Sequence, residues 1–250
     1  MTQFPIAAQL YCVREACKQN FSQALKQVAA IGYRAVELAG LHGHSPTVVK
    51  QMTADCGLAI ISSHVGLSIL EADLDKVMDE HELMGCHYIA VPIIPKERLL
   101  MQQGWLNAFQ TIEALAQRCQ VRGLTLMYHN HAYEFATQIN GRAVLDVLFE
   151  RAPHVQSELD VYWLWKAGVD PAAYLARFKG RAPMLHVKDA DKRDGSFAAV
   201  GSGQLNWNGI LDAARTVGVQ GYIVEWDDGP GSPFDCLKQS FDFLQTQGFQ

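Results

Sequence analysis

Acidic and imidazole side chains recur at the ends of otherwise apolar segments of this chain. A charged group that is buried at the end of an apolar segment costs several kcal/mol unless a partner compensates for it. A divalent cation held by several of these groups would compensate them together, so the sequence predicts a shared metal site. The residues at these segment ends are Glu37, His64, His129, His131, Asp160, His186 and Glu225.

Three of these residues have the side-chain types that hold a hard divalent cation. Asp160 ends the run Gln-Ser-Glu-Leu-Asp, His186 lies within Met-Leu-His-Val-Lys-Asp, and Glu225 ends Tyr-Ile-Val-Glu. Two carboxylates and an imidazole favour Mn²⁺, Mg²⁺ or Co²⁺ over a thiolate-type zinc site. We expect one divalent ion, with Mn²⁺ as the first choice and Mg²⁺, Co²⁺ or Zn²⁺ as alternatives. In a purely structural interpretation, Asp160 caps a helix, His186 packs in the core and Glu225 forms an ion pair with a lysine.

The most distinctive string of the chain is Tyr-His-Asn-His-Ala-Tyr-Glu-Phe at residues 128–135. Alternate side chains of a strand point to the same side, so His129 and His131 are expected to share one side. Glu134 follows in a predicted loop that can fold back over the site. The fourth metal ligand is therefore Glu134 or His129. We favour Glu134, because carboxylates suit a hard cation that also binds sugar oxygens.

The remaining polar residues are expected to surround a substrate. Glu37 and His64 are placed to hydrogen-bond hydroxyl groups, and Lys188 to stabilise an enediolate or hold an anionic group. His131 and Trp163 complete the predicted substrate-binding set, the indole by stacking on a sugar ring or by excluding water. Three of these residues have a structural alternative, which is a rim ion pair for Glu37 and Lys188 and a packed imidazole for His64.

Short apolar segments alternate with longer amphipathic stretches eight times, and this pattern positions the polar residues. The apolar segments are predicted to be strands over 6–10, 35–38, 59–64, 88–92, 125–130, 156–160, 184–187 and 222–225. The amphipathic stretches are predicted to be helices over 21–31, 47–56, 74–84, 105–122, 143–151, 171–178, 208–217 and 234–246. Eight strand–helix units in 250 residues predict an α/β fold, a single (β/α)8 TIM barrel occupying residues 1–250.

The alternative architecture is an open doubly wound sheet. That fold would carry a glycine-rich GxGxxG turn after an early strand, and neither 10–14 nor 38–43 supplies one. In a closed barrel, the carboxyl ends of the strands form the catalytic face, where the polar residues above would meet. The long polar connection over 189–208 would lie on that face and is predicted to be a flexible lid or a substrate-contact element.

The composition argues against several classes of partner. A net charge of −5 and a pI near 6.0, without a long basic cluster, indicate that nucleic acid is not the partner. No apolar run is long enough to span a membrane, and the first residues lack the basic lead-in of a signal peptide. Six scattered cysteines without a CxxC pair are expected to be small core residues in a reduced compartment. We therefore expect a cytoplasmic protein.

The segments YHNHAYEF, ELDVYW, HVKD, VGSGQLNW and VEWD follow one another in this order across much of the chain. Together they resemble the sugar phosphate isomerase/epimerase group of xylose-isomerase-like TIM barrels. The motif set is specific for the superfamily and not for one substrate. The resemblance implies a divalent metal held by Glu, Asp, His and Glu on the fifth to eighth strands, of which the last three map to Asp160, His186 and Glu225. Many relatives have glutamate on the fifth strand where this chain has His129.

The resemblance and the residues together imply an enzyme that acts on the carbonyl group of a small sugar or polyol. The metal would polarise carbonyl and hydroxyl oxygens while Glu134, Glu225 or His129 moves the α-proton, giving isomerisation or epimerisation through an enediolate. Related epimerases use two opposed metal-bound glutamates, so the same mechanism here requires Glu134 to reach the metal. The closest alternative is a lyase or dehydratase acting on a keto-polyol or keto-glycoside, because that reaction begins with the same proton abstraction.

Two further classes are less favoured. A phosphodiesterase would need extra metal ligands and a basic surface, and the acidic balance of this chain argues against it. A non-catalytic sugar-binding module would not require an intact set of metal ligands. A homo-oligomer is the default expectation for an enzyme of this kind.

Overall fold

The computed structural model describes residues 6–249, and parallel strands close into a barrel at its centre. We number the barrel strands in chain order as β1 (Ala7–Gln9), β2 (Ala35–Leu38), β3 (Ala59–His64), β4 (Tyr88–Val91), β5 (Thr125–His129), β6 (Gln156–Asp160), β7 (Met184–Val187) and β8 (Gly221–Val224). Around the barrel their order is β1-β8-β7-β6-β5-β4-β3-β2, with every neighbour parallel. The prediction of a (β/α)8 barrel is confirmed.

Helices connect successive strands. They are α1 (Arg14–Gln19), α2 (Phe21–Ile31), α3 (Pro46–Asp55), α4 (Leu67–Ala72), α5 (Leu74–Met84), α6 (Gln102–Val121), α7 (Tyr133–Ala136), α8 (Val144–Arg151), α9 (Val161–Lys166), α10 (Pro171–Leu175), α11 (Trp207–Val217) and α12 (Pro233–Thr246). The short helices α1, α4, α7 and α9 were not expected. Each follows the carboxyl end of a strand and has too few residues to show a helical period in the sequence.

The longer helices begin and end where the local chemistry favours it. At the start of α3, the hydroxyl of Ser45 accepts a hydrogen bond from the N–H of Val48, and Pro46 occupies the first turn. Gly85 and Gly218 end α5 and α11 in the left-handed conformation, with φ of 74° and 87°. These ends let the chain turn back into β4 and β8.

The interior of the barrel is layered. A small apolar cluster includes one residue from each of seven strands, namely Ala7, Ala35, Ile61, Ala90, Met127, Met184 and Ile223. Side chains two positions apart on a strand point to the same side. The residues two positions after cluster members are therefore interior as well, and they include the polar groups Gln9, Glu37, Ser63, His129, His186 and Glu225. A separate, larger apolar cluster includes residues of both the strands and the helices.

The connection between β7 and α11, predicted as a flexible lid or a substrate-contact element, contains pairing of its own. Asp189–Ala190 pairs antiparallel with Phe197–Ala198. The buried Asp189 carboxylate accepts hydrogen bonds from several donors of this connection, which are the backbone N–H groups of Gly201, Gly203 and Leu205 and the indole N–H of Trp207. The sequence did not indicate this arrangement, because these donors lie 12 to 18 residues from Asp189.

Two expectations from composition can be compared with the structure. The six cysteines are free, and all except the half-buried Cys56 are buried, in agreement with small core residues. No helix within residues 6–249 is long and apolar enough to cross a membrane.

Candidate active site

A cavity of about 540 Å³ opens at the carboxyl ends of the barrel strands. Apart from Arg14, its charged and imidazole lining is formed by His64, His129, His131, Lys188, Glu225, Asp227 and Asp228. The first five were selected from the sequence, and the two aspartates follow β8. Active sites of TIM barrels lie at this face, so the cavity is the candidate active site.

Four buried side chains beside the cavity converge closely enough to hold a metal ion. His129, Asp160, His186 and Glu225 each offer one ligand atom, and these atoms lie within 4.8 Å of one another. The residues come from the ends of β5 and β6, from β7 and from the position after β8. Asp160 and His186 are lateral neighbours in the register of β6 and β7. Carboxylate and imidazole groups are suitable ligands for a divalent cation.

The two carboxylate oxygens of Asp160 have different surroundings. Its Oδ1 accepts hydrogen bonds from the N–H groups of Tyr162 and Trp163 at 2.8 and 3.1 Å, which caps α9. Its buried Oδ2 accepts no hydrogen bond from the described residues. That oxygen lies 3.8 Å from Nε2 of His129 and 3.3 Å from Nζ of Lys188. A buried carboxylate oxygen that accepts no hydrogen bond and already faces an ammonium group fits a cation site.

Glu134 lies outside the converging group. One of its carboxylate oxygens accepts a hydrogen bond from the hydroxyl of Tyr128 at 2.8 Å, and the other accepts one from the N–H of His131 at 2.9 Å. Three residues separate helix α7 from β5, and the helix turns this carboxylate back onto the strand. Burial raises the pKa of Glu134 to about 7. The geometry therefore favours His129 over Glu134 as the fourth ligand.

Glu37 lies beneath the converging group and does not line the cavity. Its Oε2 accepts a hydrogen bond from the amide of Gln9 and lies 2.7 Å from Nε2 of His186. The other ring nitrogen of His186, Nδ1, lies 3.0 Å from Oε2 of Glu225. Although burial opposes ionisation, His64 and His186 lower the pKa of Glu37 to about 2. This position is suited to orienting the His186 ring rather than to contacting a substrate hydroxyl, the role expected from the sequence.

Glu158 is a buried residue of this centre that the sequence analysis missed. Its Oε2 lies 2.8 Å from Nε2 of His64 and 3.4 Å from Nδ1 of His129. Burial and the neighbouring Glu37 carboxylate raise the pKa of Glu158 to about 7. It stands two positions before Asp160 on β6, and strand alternation places these two carboxylates on the same side. This two-residue spacing from Asp160 is the sequence feature that could have identified Glu158 as a residue of the site.

Lys188 is a fully buried cation among three carboxylates. Its Nζ lies 3.3 Å from Asp160, 2.9 Å from Glu225 and 2.9 Å from Asp227. Against the cost of burial, these carboxylates raise the pKa of Lys188 well above its usual range. The ammonium also faces the Trp163 ring, 5.3 Å from its centroid. Trp163 thus packs against Lys188 and is not part of the cavity lining.

The two remaining predicted substrate-binding residues line the cavity as imidazoles. His64 approaches Glu158 from β3, and its ring stacks on that of His186 with 5.3 Å between centroids. His131 contacts Trp163, with 5.2 Å between ring centroids. Burial, with the nearby Lys188, lowers the pKa of His131 to about 4. Its buried Nδ1 has no hydrogen-bond partner among the described residues.

The sequence matches one protein-family model over most of its length. The model describes the xylose isomerase-like TIM barrel, and the match covers residues 25–247. This agrees with the closed barrel and with the resemblance noted from the motifs.

Relatives and solved structures cover nearly the whole chain at low identity. An inosose dehydratase of Geobacillus kaustophilus is 24% identical, over 89% of this chain and 85% of the relative. Inosose dehydratase 1 of Bacillus cereus is 20% identical, over 91% of this chain and 90% of the relative. The crystal structure of a sugar phosphate isomerase/epimerase from Parabacteroides distasonis superposes with a TM-score of 0.83 at 20% identity, covering 98% of this chain and 97% of that chain. This structural similarity shows that the two chains share the same fold.

Proposed function

Because the chain belongs to the xylose isomerase-like TIM-barrel family, we propose that it is a metal-dependent enzyme that removes a proton beside the carbonyl group of a sugar or polyol. Support comes from the buried group of potential ligands at the catalytic face and from carbohydrate-modifying relatives. The expected partner is a small carbohydrate.

The proposed metal ligands are His129, Asp160, His186 and Glu225. Glu134 is left out of this set because both of its carboxylate oxygens already accept hydrogen bonds. Mn²⁺ is the proposed ion, because two carboxylates and two imidazoles suit it, while Mg²⁺, Co²⁺ and Zn²⁺ are alternatives. When bound, a divalent ion supplies Lewis-acid polarisation of a substrate carbonyl oxygen.

Glu225 is the proposed general base. It lines the cavity, and Lys188 and His186 contact only its Oε2. The second oxygen remains available to take a proton from substrate carbon. Lys188, whose ammonium lies 2.9 Å from Glu225, is placed to stabilise negative charge that develops on an adjacent oxygen.

The side chains on the two sides of the cavity favour elimination of water over epimerisation. All the carboxylates that line it, Glu225, Asp227 and Asp228, come from the end of β8. The end of β5 presents the imidazoles of His129 and His131 instead. An epimerase with two opposed glutamates would need a carboxylate on the β5 side, and Glu134 is turned away from it. This asymmetry carries the proposal of a dehydratase acting on a keto-polyol.

In the proposed elimination, Glu225 takes the α-proton and the electron pair of the C–H bond forms the enediolate. As the carbon–carbon double bond forms and the carbonyl is restored, the β-hydroxyl departs, takes that proton from Glu225 and leaves as water. The isomerase or epimerase activity expected from the sequence is the second candidate. His131 supports it, because its unprotonated imidazole lies on the side opposite Glu225 and can accept a proton from the other face of the carbon.

The proposal is tested by incubating Mn²⁺-loaded protein with inosose, and separately with D-fructose, in deuterated water. Mass spectrometry of the product distinguishes the reactions, because dehydration removes one water whereas isomerisation retains it. We expect a dehydrated product from inosose, and no product with Glu225→Gln. Asp212→Asn, an exposed substitution on α11, is the matched control. Absence of both dehydration and deuterium incorporation with metal-loaded protein would contradict the proposal.

A further inference from the structure

The cavity has a second half whose lining differs from the catalytic half. The catalytic groups come mainly from strands β5 to β8. On the other side, the lining residues follow β1, β2 and β4, and they are Tyr11, Arg14, Ala39, Pro92 and Ile93. In the closed barrel these strands are grouped together with β3 between β2 and β4. One wall of the cavity is therefore predominantly apolar.

Two large side chains of this wall are exposed to solvent. Tyr11 is 44% exposed and Ile93 is 40% exposed, although each lies beside a polar catalytic centre. Apolar surface grouped at the mouth of a cavity marks a place where a ligand covers it. The side chains of Ala39, Pro92 and Ile93 offer no hydrogen-bond donor or acceptor, so hydroxyl groups would lose water there without compensation.

Arg14 adds a specific polar feature to this wall. Its guanidinium carbon lies 4.3 Å from the centroid of the Tyr11 ring, and one of its N–H groups donates to the Tyr11 carbonyl. It forms no ion pair within residues 6–249. The stacked guanidinium and phenol make a flat platform with donors left for an oxygen acceptor.

The size of the cavity also exceeds what a single sugar fills. A hexose occupies on the order of 200 Å³ at the packing density of protein interiors, compared with about 540 Å³ here. The catalytic half is sufficient for the reacting carbohydrate. The apolar half would then hold a second group attached to it.

We infer that the substrate carries an aryl substituent, joined through a glycosidic bond, which lies on the Tyr11 platform against Ile93 and Pro92 with an oxygen acceptor directed to Arg14. The inference deepens the proposed function and rests on it for the orientation of the sugar. A planar apolar group matches this wall better than a second sugar, because Ala39, Pro92 and Ile93 offer no side-chain hydrogen bond to sugar hydroxyls.

The test compares the binding of phenyl β-D-glucopyranoside and methyl β-D-glucopyranoside to Mn²⁺-loaded protein by isothermal titration calorimetry. Neither probe has a ketone, so binding is measured without turnover. We expect the phenyl glycoside to bind about tenfold more tightly, the gain that an aromatic stacking partner provides. In Tyr11→Ala, the two glycosides should bind with equal affinity. In Val121→Ala, at an exposed apolar residue outside the cavity, the tenfold difference should remain.

A second comparison tests the contribution of Arg14 to binding of the aryl group. A 4-carboxyphenyl β-D-glucopyranoside should bind more tightly than the phenyl glycoside to the wild type, and this advantage should disappear in Arg14→Gln. Equal binding of phenyl and methyl glycosides would overturn the inference, as would tighter binding of cellobiose than of the phenyl glycoside. These results do not depend on catalysis, so they are distinguishable from a failure of the inosose reaction. Thermal denaturation verifies that each variant is folded.

Discussion

Glu37 lies 2.7 Å from the Nε2 atom of His186, on the side of the imidazole opposite Glu225. When one ring nitrogen of a histidine donates to a carboxylate, the other is left as an acceptor with its lone pair directed at a metal. Glu37 is thus a positioning residue for the proposed metal centre. It stands 149 positions from His186 in the chain.

Replacing Glu37 should weaken metal binding without removing any ligand. We expect Glu37→Ala to lower Mn²⁺ affinity about 10- to 100-fold, because the His186 ring loses the group that orients it. Glu37→Gln should be milder, since its amide oxygen can still accept from Nε2. Titration of metal-free protein with Mn²⁺ measures both, and Glu71→Gln, on helix α4, is the control. Unchanged affinity in the alanine variant would contradict this role.

Lys188 should stabilise the metal-free protein by neutralising the carboxylates around it. Lys188→Met keeps similar bulk but leaves Asp160, Glu225 and Asp227 without their cation. Breaking a buried ion pair in this way costs about 3–5 kcal/mol of unfolding free energy. Urea denaturation with and without Mn²⁺ measures the effect, and added metal should recover part of the loss. A variant as stable as the wild type without metal would show that these carboxylates do not depend on Lys188.

Glu134 should make stability depend on pH without contributing to metal binding. Burial raises its pKa from 4.5 to about 7, so the folded state holds the proton more tightly than the unfolded state. The associated stability is present below pH 4.5 and is lost as the pH rises through 7. Relative to Glu134→Gln, the wild type should lose on the order of 3 kcal/mol across this interval.

Denaturation of both proteins at several pH values tests the prediction for Glu134. Glu150→Gln, which replaces an exposed carboxylate on α8, should follow the wild-type dependence. Metal content measured by elemental analysis should be the same in Glu134→Gln as in the wild type. A loss of metal from this variant would restore Glu134 as a ligand.

In the connection between β7 and α11, a side chain at position 203 in place of Gly203 should destabilise the protein. A side-chain carbon added there would lie 2.2 Å from Oδ1 of Asp189 and 2.3 Å from the carbonyl oxygen of Ala190. Both atoms are held in place, so Gly203→Ala should destabilise the protein by about 2 kcal/mol or more. Gly66→Ala is the matched control, since its added carbon would meet nothing closer than 4.0 Å. Equal thermal unfolding of the two variants would contradict the packing described.

The hydrophobic periodicity of the sequence was sufficient to predict the barrel and many residues of the candidate site. Alternating apolar segments and amphipathic stretches report local structure, and parallel strands in a closed barrel must end on one face. That rule alone brought Asp160, His186 and Glu225 together, and their side-chain types indicated a divalent cation.

Only the tertiary structure decided the direction of the individual side chains. The turn into α7 carries Glu134 away while His129 stays beside the proposed ligands. Packing between distant strands puts Glu37 under His186 and Lys188 among its carboxylates. Periodicity records which face of its own segment a residue occupies. The partner it meets across the barrel depends on strand register and on the free energy of burying charge, which involve residues far apart in sequence.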